Sequence, residues 1–253
     1  MEENKYNKWS GEKLNPIMSF IVKDIPQIRE GDDIGEIIFQ KMKLLDSVRE
    51  KDIFIIASKI VSKSEGRSVD LNTIIPSDEA IRLYELFKKK SPKVYQVILN
   101  ESTSYKMGNG VIIARHKLGM DLTSAGVDRE GENQVIILPE NPDLSAKKIA
   151  DRIGILSGKQ VAVIISDSEG RSDRKGAGAI SIGVANINPL RVKENVDASG
   201  KLKKTEETIS DLLTAQGSLL MGQRGNNTPV VCIRNFQYKL DPNAKLSDIL
   251  HWL

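Results

Sequence analysis

Cysteine is nearly absent from this chain. The single Cys232 rules out an internal disulfide and any zinc site built on paired cysteines. It sits in an apolar run, 229–233, and reads as a core residue rather than a nucleophile. Histidine is almost as scarce: His116 and His251 cannot make a histidine-rich metal centre, and each reads as structural or solvated. Aromatic residues are 5% of the sequence, which leaves the core to Ile, Leu and Val and few rings for stacking bases. No apolar run is long enough to cross a bilayer, and the polar stretch 1–16 has no signal-peptide core. Neither sign of charge dominates: 37 basic and 34 acidic residues leave +3, with the signs interleaved. The densest basic run, Lys88-Lys89-Lys90, ends an expected helix, where cations suit the dipole. Neither a nucleic-acid partner nor a membrane is expected, and the expected setting is a reducing cytoplasm.

Several catalytic templates are missing too. There is no G-x-S-x-G nucleophile elbow. The phosphate-loop pattern nearly appears at 217–224, but Gln223-Arg224 replaces its Lys-Ser/Thr pair, and the stretch follows a helix where a strand is required. Gly176-Ala177-Gly178 begins a dinucleotide-like pattern, yet Ser181 stands where the third small residue belongs.

What is present alternates between strand and helix patterns. Short apolar runs at 20–22, 53–57, 111–114, 134–138, 161–165, 180–185 and 230–233 read as strands. Helices are expected from Gly31-Asp32-Asp33 through Ile34, Ile37, Ile38 and Met42, over 78–90, over 94–99, from a Ser145 cap to Gly158, over 206–221 and over 247–253. Segment 58–66 reads as a polar exit, 115–131 as loop-like, and 191–204 as a charged surface segment forming a lid or a hairpin. The fold class is α+β (mixed α/β), with mixed sheets and flanking helices. Residues 17–253 are read as a single domain, as one unit or as two intertwined subdomains, after a polar extension over 1–16.

The segment with most chemistry is Ser166-Asp167-Ser168-Glu169-Gly170-Arg171-Ser172, directly after an apolar run. A carboxylate and a hydroxyl at a strand end can hold a divalent cation, and an arginine can fork onto an anion. An ordinary strand-to-turn exit would use the same residue types. Other polar groups follow other strands or helices: Ser58, Lys59 and Lys63; Asp121 and Asp128; Gln223 with Gly225-Asn226-Asn227. Such exits can converge on one crevice of an α/β sheet. Neighbouring aspartates repel unless a cation lies between them, and lysine suits phosphate as a point charge. The set points to metal-assisted phosphate chemistry, against the alternative of scattered surface residues.

Five blocks, in order, resemble the coenzyme F-420-0:L-glutamate ligases, or F-420 γ-glutamyl ligases. They are Arg29-Glu30-Gly31-Asp32-Asp33, the run 58–67 (SKIVSKSEGR), Ser124-Ala125-Gly126-Val127-Asp128, the run 166–171 (SDSEGR), and Leu219-Leu220-Met221-Gly222-Gln223. The resemblance covers about residues 25–235. It implies a ligase-like fold, usually dimeric, and a GTP-dependent ligase with Mg or Mn, a monovalent cation being a further candidate. The terminal carboxylate of the deazaflavin precursor becomes an acyl phosphate, and the amine of L-glutamate attacks it. Carried over by position, Asp128, Asp167, Ser168 and Gln223 match metal ligands. Ser58, Lys59 and Lys63 match nucleotide contacts. Ile25, Pro26, Gln27 and Ile28, with Met221, Gly222, Gln223, Arg224, Gly225, Asn226, Asn227 and Thr228, match the segments that wrap the nucleotide. Arg171 and Arg174 suit an anionic substrate or a transition-state charge. Departures from the family pattern are Ser124 and Gly131 where Asn is usual, Asp173 where an aromatic is usual, and no glycine near Glu194. They keep two alternatives open: a related ligase with a different carboxylate acceptor, and a non-catalytic nucleotide-binding relative.

Overall fold

The computed structural model describes residues 15–108, 111–171, 174–196, 198–223 and 225–251. Strand β1 (Met18–Ile21) leads to helix α1 (Ile34–Leu45). Asp33 caps that helix by accepting from the Glu36 N–H, and Ile34, Ile38 and Met42 form its buried stripe. Strand β2 (Ile53–Ala57) follows, buried from Ile53 to Ile56. The expected polar exit after it is instead helix α2 (Ser58–Ser64). Its three serines are weak helix formers, and only Ile60 and Val61 mark an apolar side.

After β3 (Ser68–Asp70) come α3 (Asp78–Phe87) and α4 (Pro92–Asn100), capped by the hydroxyls of Ser77 and Ser91. Helix α3 stops at Lys88, whose φ is +51, so Lys89 and Lys90 lie beyond the helix rather than in its last turn. Four strands follow: β4 (Ser102–Gly108), β5 (Val111–His116), β6 (Asp121–Thr123) and β7 (Asp128–Glu130). The expected loop up to Gly131 therefore contains two short strands, each too brief to show alternation. Strand β8 (Gln134–Ile136) pairs back onto β7 and β3.

Helix α5 (Pro142–Ser157) starts a turn earlier than the expected Ser145 cap. Asn141 accepts from the Leu144 N–H, Pro142 suits the first turn, and Ser145 donates instead to Glu65. Strand β9 (Ala162–Gly170) runs on through the polar residues 166–170, which are strand rather than turn because β10 (Ala177–Ile187) pairs with them. Strands β11 (Leu190–Val196) and β12 (Leu202–Thr208) form a hairpin, one of the two forms expected there. Helix α6 (Ile209–Met221), β13 (Val230–Arg234) and β14 (Leu240–Asp241) complete the order. Residues 206–208, expected in the helix, belong to β12, and the expected terminal helix is a short 3-10 turn, Leu246–Ile249.

The architecture is mixed α and β. Six strands form one sheet in the order β1-β13-β2-β9-β10-β14, in which β2 and β9 are parallel and the other pairs antiparallel. Strands β3-β8-β7 and β4-β5-β6 form two small sheets. Buried apolar residues fall into two clusters: one on the large sheet with α1, α5 and α6, the other joining α3 and α4 to the small sheets. Cys232 is fully buried in the first, and burial pushes its thiol up, as suits a core residue. Among the described residues no helix is long and apolar enough to cross a membrane.

At the far end of the sheet Arg234 is buried. Its Nε and Nη2 each lie 2.7 Å from the fully buried Asp52 carboxylate. Nη1 donates to Asp46 at 2.5 Å, and the guanidinium lies 5.1 Å from the Phe20 ring centre. Replacing Arg234→Met strands the Asp52 charge in the core, so the expected cost is about 3–5 kcal/mol in urea unfolding. A loss under about 1 kcal/mol would contradict this role.

Candidate functional site

The site begins where β2 ends beside β9, which runs on past it. In their parallel register Ala57 faces Ser166, so the next residues of each chain, Ser58 and Asp167, meet. Ser58 donates from Oγ to Asp167 Oδ1 at 2.7 Å. Burial pushes the Asp167 carboxyl up to about 7; the Ser58 bond pulls it down, and the charge of Asp128 pushes it up again.

Asp128 comes from a different part of the fold. The chain enters β7 through Ser124, Ala125 and Gly126, with φ of +55, +53 and +65. Three left-handed residues in a row turn the strand toward the cavity. A Cβ on Gly126 would lie 2.7 Å from Leu138 Cγ, so the turn needs glycine there. Asn tolerates this conformation better than Ser does, so Ser124 holds it at some backbone cost.

Lys59 and Lys63 lie four residues apart on one face of α2. Lys63 Nζ is 2.6 Å and Lys59 Nζ 3.0 Å from the Glu130 carboxylate, and Lys59 Nζ is 3.9 Å from Asp128. The far wall is the loop after α6. Gly222 has φ +67 and ψ −178, a conformation essentially confined to glycine. Asn226 and Thr228 donate to the Met221 carbonyl at 3.3 and 2.9 Å, holding the loop over the helix end.

These elements enclose an open cavity of about 950 Å³. Its lining includes Ile25, Pro26, Gln27, Ile28, Ser58, Lys59, Lys63, Asp128, Asp167, Ser168, Met221, Gly222, Gln223, Gly225, Asn226, Asn227 and Thr228. Segments distant in sequence, each singled out by sequence, thus share one wall. Arg224 lies outside the described residues. Arg171 and Arg174 are exposed at the end of β9 and in the link to β10, and do not line the cavity. Asp121 pairs with Arg115 at 3.2 Å and also lies outside it. His116 is buried, accepts from the Leu118 N–H at 3.0 Å, and has its pKa lowered chiefly by burial, as a structural histidine would. Glu130 lines the cavity without having been singled out.

The donor set fits a hard, oxygen-seeking cation. The charge of Asp128 is close enough to raise the cost of ionising Asp167, and Ser168 and Gln223 add neutral oxygens to the same lining. No cluster of three or more His, Cys, Asp or Glu suited to a metal occurs among the described residues. A Mg-type site would need only one or two carboxylates, filling its shell from water and substrate phosphate. Beside these acids the two lysines offer charge to an anion. The arrangement can therefore hold a polyphosphate and its counter-cation together.

The comparisons agree in family. The F420-0:Gamma-glutamyl ligase family matches residues 23–235, and the chain belongs to that family. It is similar to the coenzyme F420:L-glutamate ligase of Methanocaldococcus jannaschii, 43% identical over 83% of this chain and 85% of that protein. It is also similar to the proteins of that name from Methanosarcina mazei, 36% identical over 90% of this chain and 89% of the relative, and from Methanopyrus kandleri, 37% identical over 85% of each.

An Asp167 that ionises at about 7 carries a stability signature. Its folded-state pKa lies above the unfolded value of about 3.9. Its contribution is therefore fully present below pH ~4 and is lost as pH rises through 7. Asp167→Asn cannot ionise. In EDTA the variant should gain on the parent by roughly 1–2 kcal/mol between pH 4 and 8. Thermal unfolding across that range checks this, and a difference independent of pH contradicts it.

Proposed function

We propose that this chain is an amide-bond-forming ligase. It joins L-glutamate to the terminal carboxylate of a deazaflavin coenzyme F-420 precursor, with GTP and Mg or Mn, through an acyl phosphate. Family membership supports the reaction class. The observation that carries the site assignment is the meeting of two acids, Asp128 and Asp167, with two lysines, Lys59 and Lys63, in one cavity.

A carboxylate is a poor acyl donor until one of its oxygens becomes a phosphate leaving group. Lys59 and Lys63 bind the phosphates as point charges from one face of α2. Residues 25–28 and 221–228 enclose the nucleotide, with Gly222 and the Asn226 and Thr228 caps fixing the shape of the second segment. Asp128, Asp167, Ser168 and Gln223 would hold the divalent cation, which would neutralise the crowded phosphate oxygens. Ser58 orients Asp167 by donating to one of its carboxylate oxygens. Arg171 and Arg174, just beyond the rim, are assigned to the anionic acceptor or amino acid. Alignment of the acyl phosphate with the attacking amine supplies the remaining rate enhancement. A monovalent cation is a further candidate ligand.

The reading extends to a cytoplasmic homodimer. An isolated two-stranded hairpin is marginal in water, and β11–β12 exposes Val192, Val196 and Leu202, an apolar surface that a second copy would cover. Light scattering at twice 28.0 kDa supports the dimer, and 28.0 kDa removes it.

The test is phosphate release by purified protein with GTP, divalent cation, L-glutamate and the deazaflavin acceptor, each omitted in turn. Release should need all four and yield a product heavier by one glutamyl unit. Asp167→Asn should abolish it while the variant still folds. Product with another carboxylic acid but not the deazaflavin would move the assignment to a different acceptor. Nucleotide binding with no acceptor-dependent release would remove the ligase reading.

A further inference from the structure

Glu130 has no role in the reading above, yet it is the shared partner of both cavity lysines. Its carboxylate lies 2.6 Å from Lys63 and 3.0 Å from Lys59, and the Lys59 ammonium stands 3.9 Å from Asp128 as well. Asp128 and Glu130 are alternate residues of β7, so they project from one face of it. One ammonium thus sits between two carboxylates, where a small cation would sit. The charges meant for phosphate are meanwhile neutralised by an acid of the same chain.

An arriving polyphosphate must take those lysines from Glu130. The exchange is feasible because the side chains of Glu130, Lys63 and Lys59 are 33%, 21% and 37% exposed, so no fully buried pair is broken. Once displaced, the carboxylate faces like charges at close range: Asp128 and the phosphates themselves. A divalent cation at Asp128 removes that penalty.

We propose, resting on the assignment of Lys59 and Lys63 to phosphate and Asp128 to the cation, that Glu130 is an exchangeable counter-ion. It holds both lysines in the empty site and turns to the cation beside Asp128 when nucleotide displaces it. Glu130 thereby couples the two ligands: nucleotide binds poorly without the cation and well with it. The coupling is reciprocal, so nucleotide tightens the cation by the same factor.

The experiment measures GDP affinity by titration calorimetry, in EDTA and at saturating Mn²⁺, for the parent, Glu130→Gln and Glu130→Ala. Melting curves verify that each variant folds, and the second replacement serves should the first not fold. In EDTA, GDP should bind the variants about tenfold tighter than the parent. Misfolding cannot produce such a gain. At saturating Mn²⁺ the advantage should vanish, so the enhancement by cation shrinks about tenfold or more. Folded variants that bind GDP in EDTA no tighter than the parent, or keep the parent's cation enhancement, would overturn the proposal and leave the site assignment standing. A parent that binds no guanine nucleotide with or without cation would overturn both.

Discussion

The parallel pairing of β2 with β9 is the constraint on which the rest of the site depends. Both strands are apolar through the sheet and change character at the same level, at Ala57 and Ser166. Beyond that level Ser58 and Lys59, and Asp167 and Ser168, are polar, and these residues face the cavity. Ser58 and Asp167 meet because of a register set many residues earlier. A slip of one residue would turn both away. The other end of β2 is anchored as well, where Arg234 on β13 clamps Asp52 just before β2 begins.

The second half of the site is brought to this fixed edge by a separate module. The turn Ser124–Gly126 aims β7 at the cavity, and α2, which starts directly from β2, offers its lysines to β7. At the cavity itself the contact between α2 and β7 is ionic, while Met120, Leu122 and Leu138 pack into the apolar cluster of the large sheet below it. Ionic contacts rearrange at lower cost than packed side chains do, which suits a site that must admit a charged ligand. The apolar clusters beneath each half supply the rigidity that the ionic seam lacks.

Much of this was legible in sequence where burial dictates pattern. The stripe Ile34, Ile38 and Met42 after the Asp33 cap, and the apolar runs of β2 and β13, are buried as read. Polar strands were harder. Residues 166–170 look like a turn because their strand character comes from pairing with β10, not from an apolar face. The hairpin β11–β12 was legible only as one of two forms, lid or hairpin, because its charged strands have no buried side. Helix α2 is short and serine-rich, and it shows itself through the buried faces of Ser58, Val61 and Ser62. At the site, the residues named by motif line the cavity together, whereas Arg171 and Arg174 stay outside it. The link of Glu130 to Lys59 and Lys63 is a long-range contact that no local pattern encodes.

The central claim is that the strand ends carrying Asp128 and Asp167 form the cation-bearing floor of the ligase site. Anomalous diffraction at the manganese edge, from crystals grown with GDP and Mn²⁺, tests it most directly. The account predicts a peak within coordination distance, ~2–2.5 Å, of carboxylate oxygens from both aspartates, with the diphosphate on its other side. A manganese peak held by other residues, with Asp128 and Asp167 making no contact to it, would contradict the account.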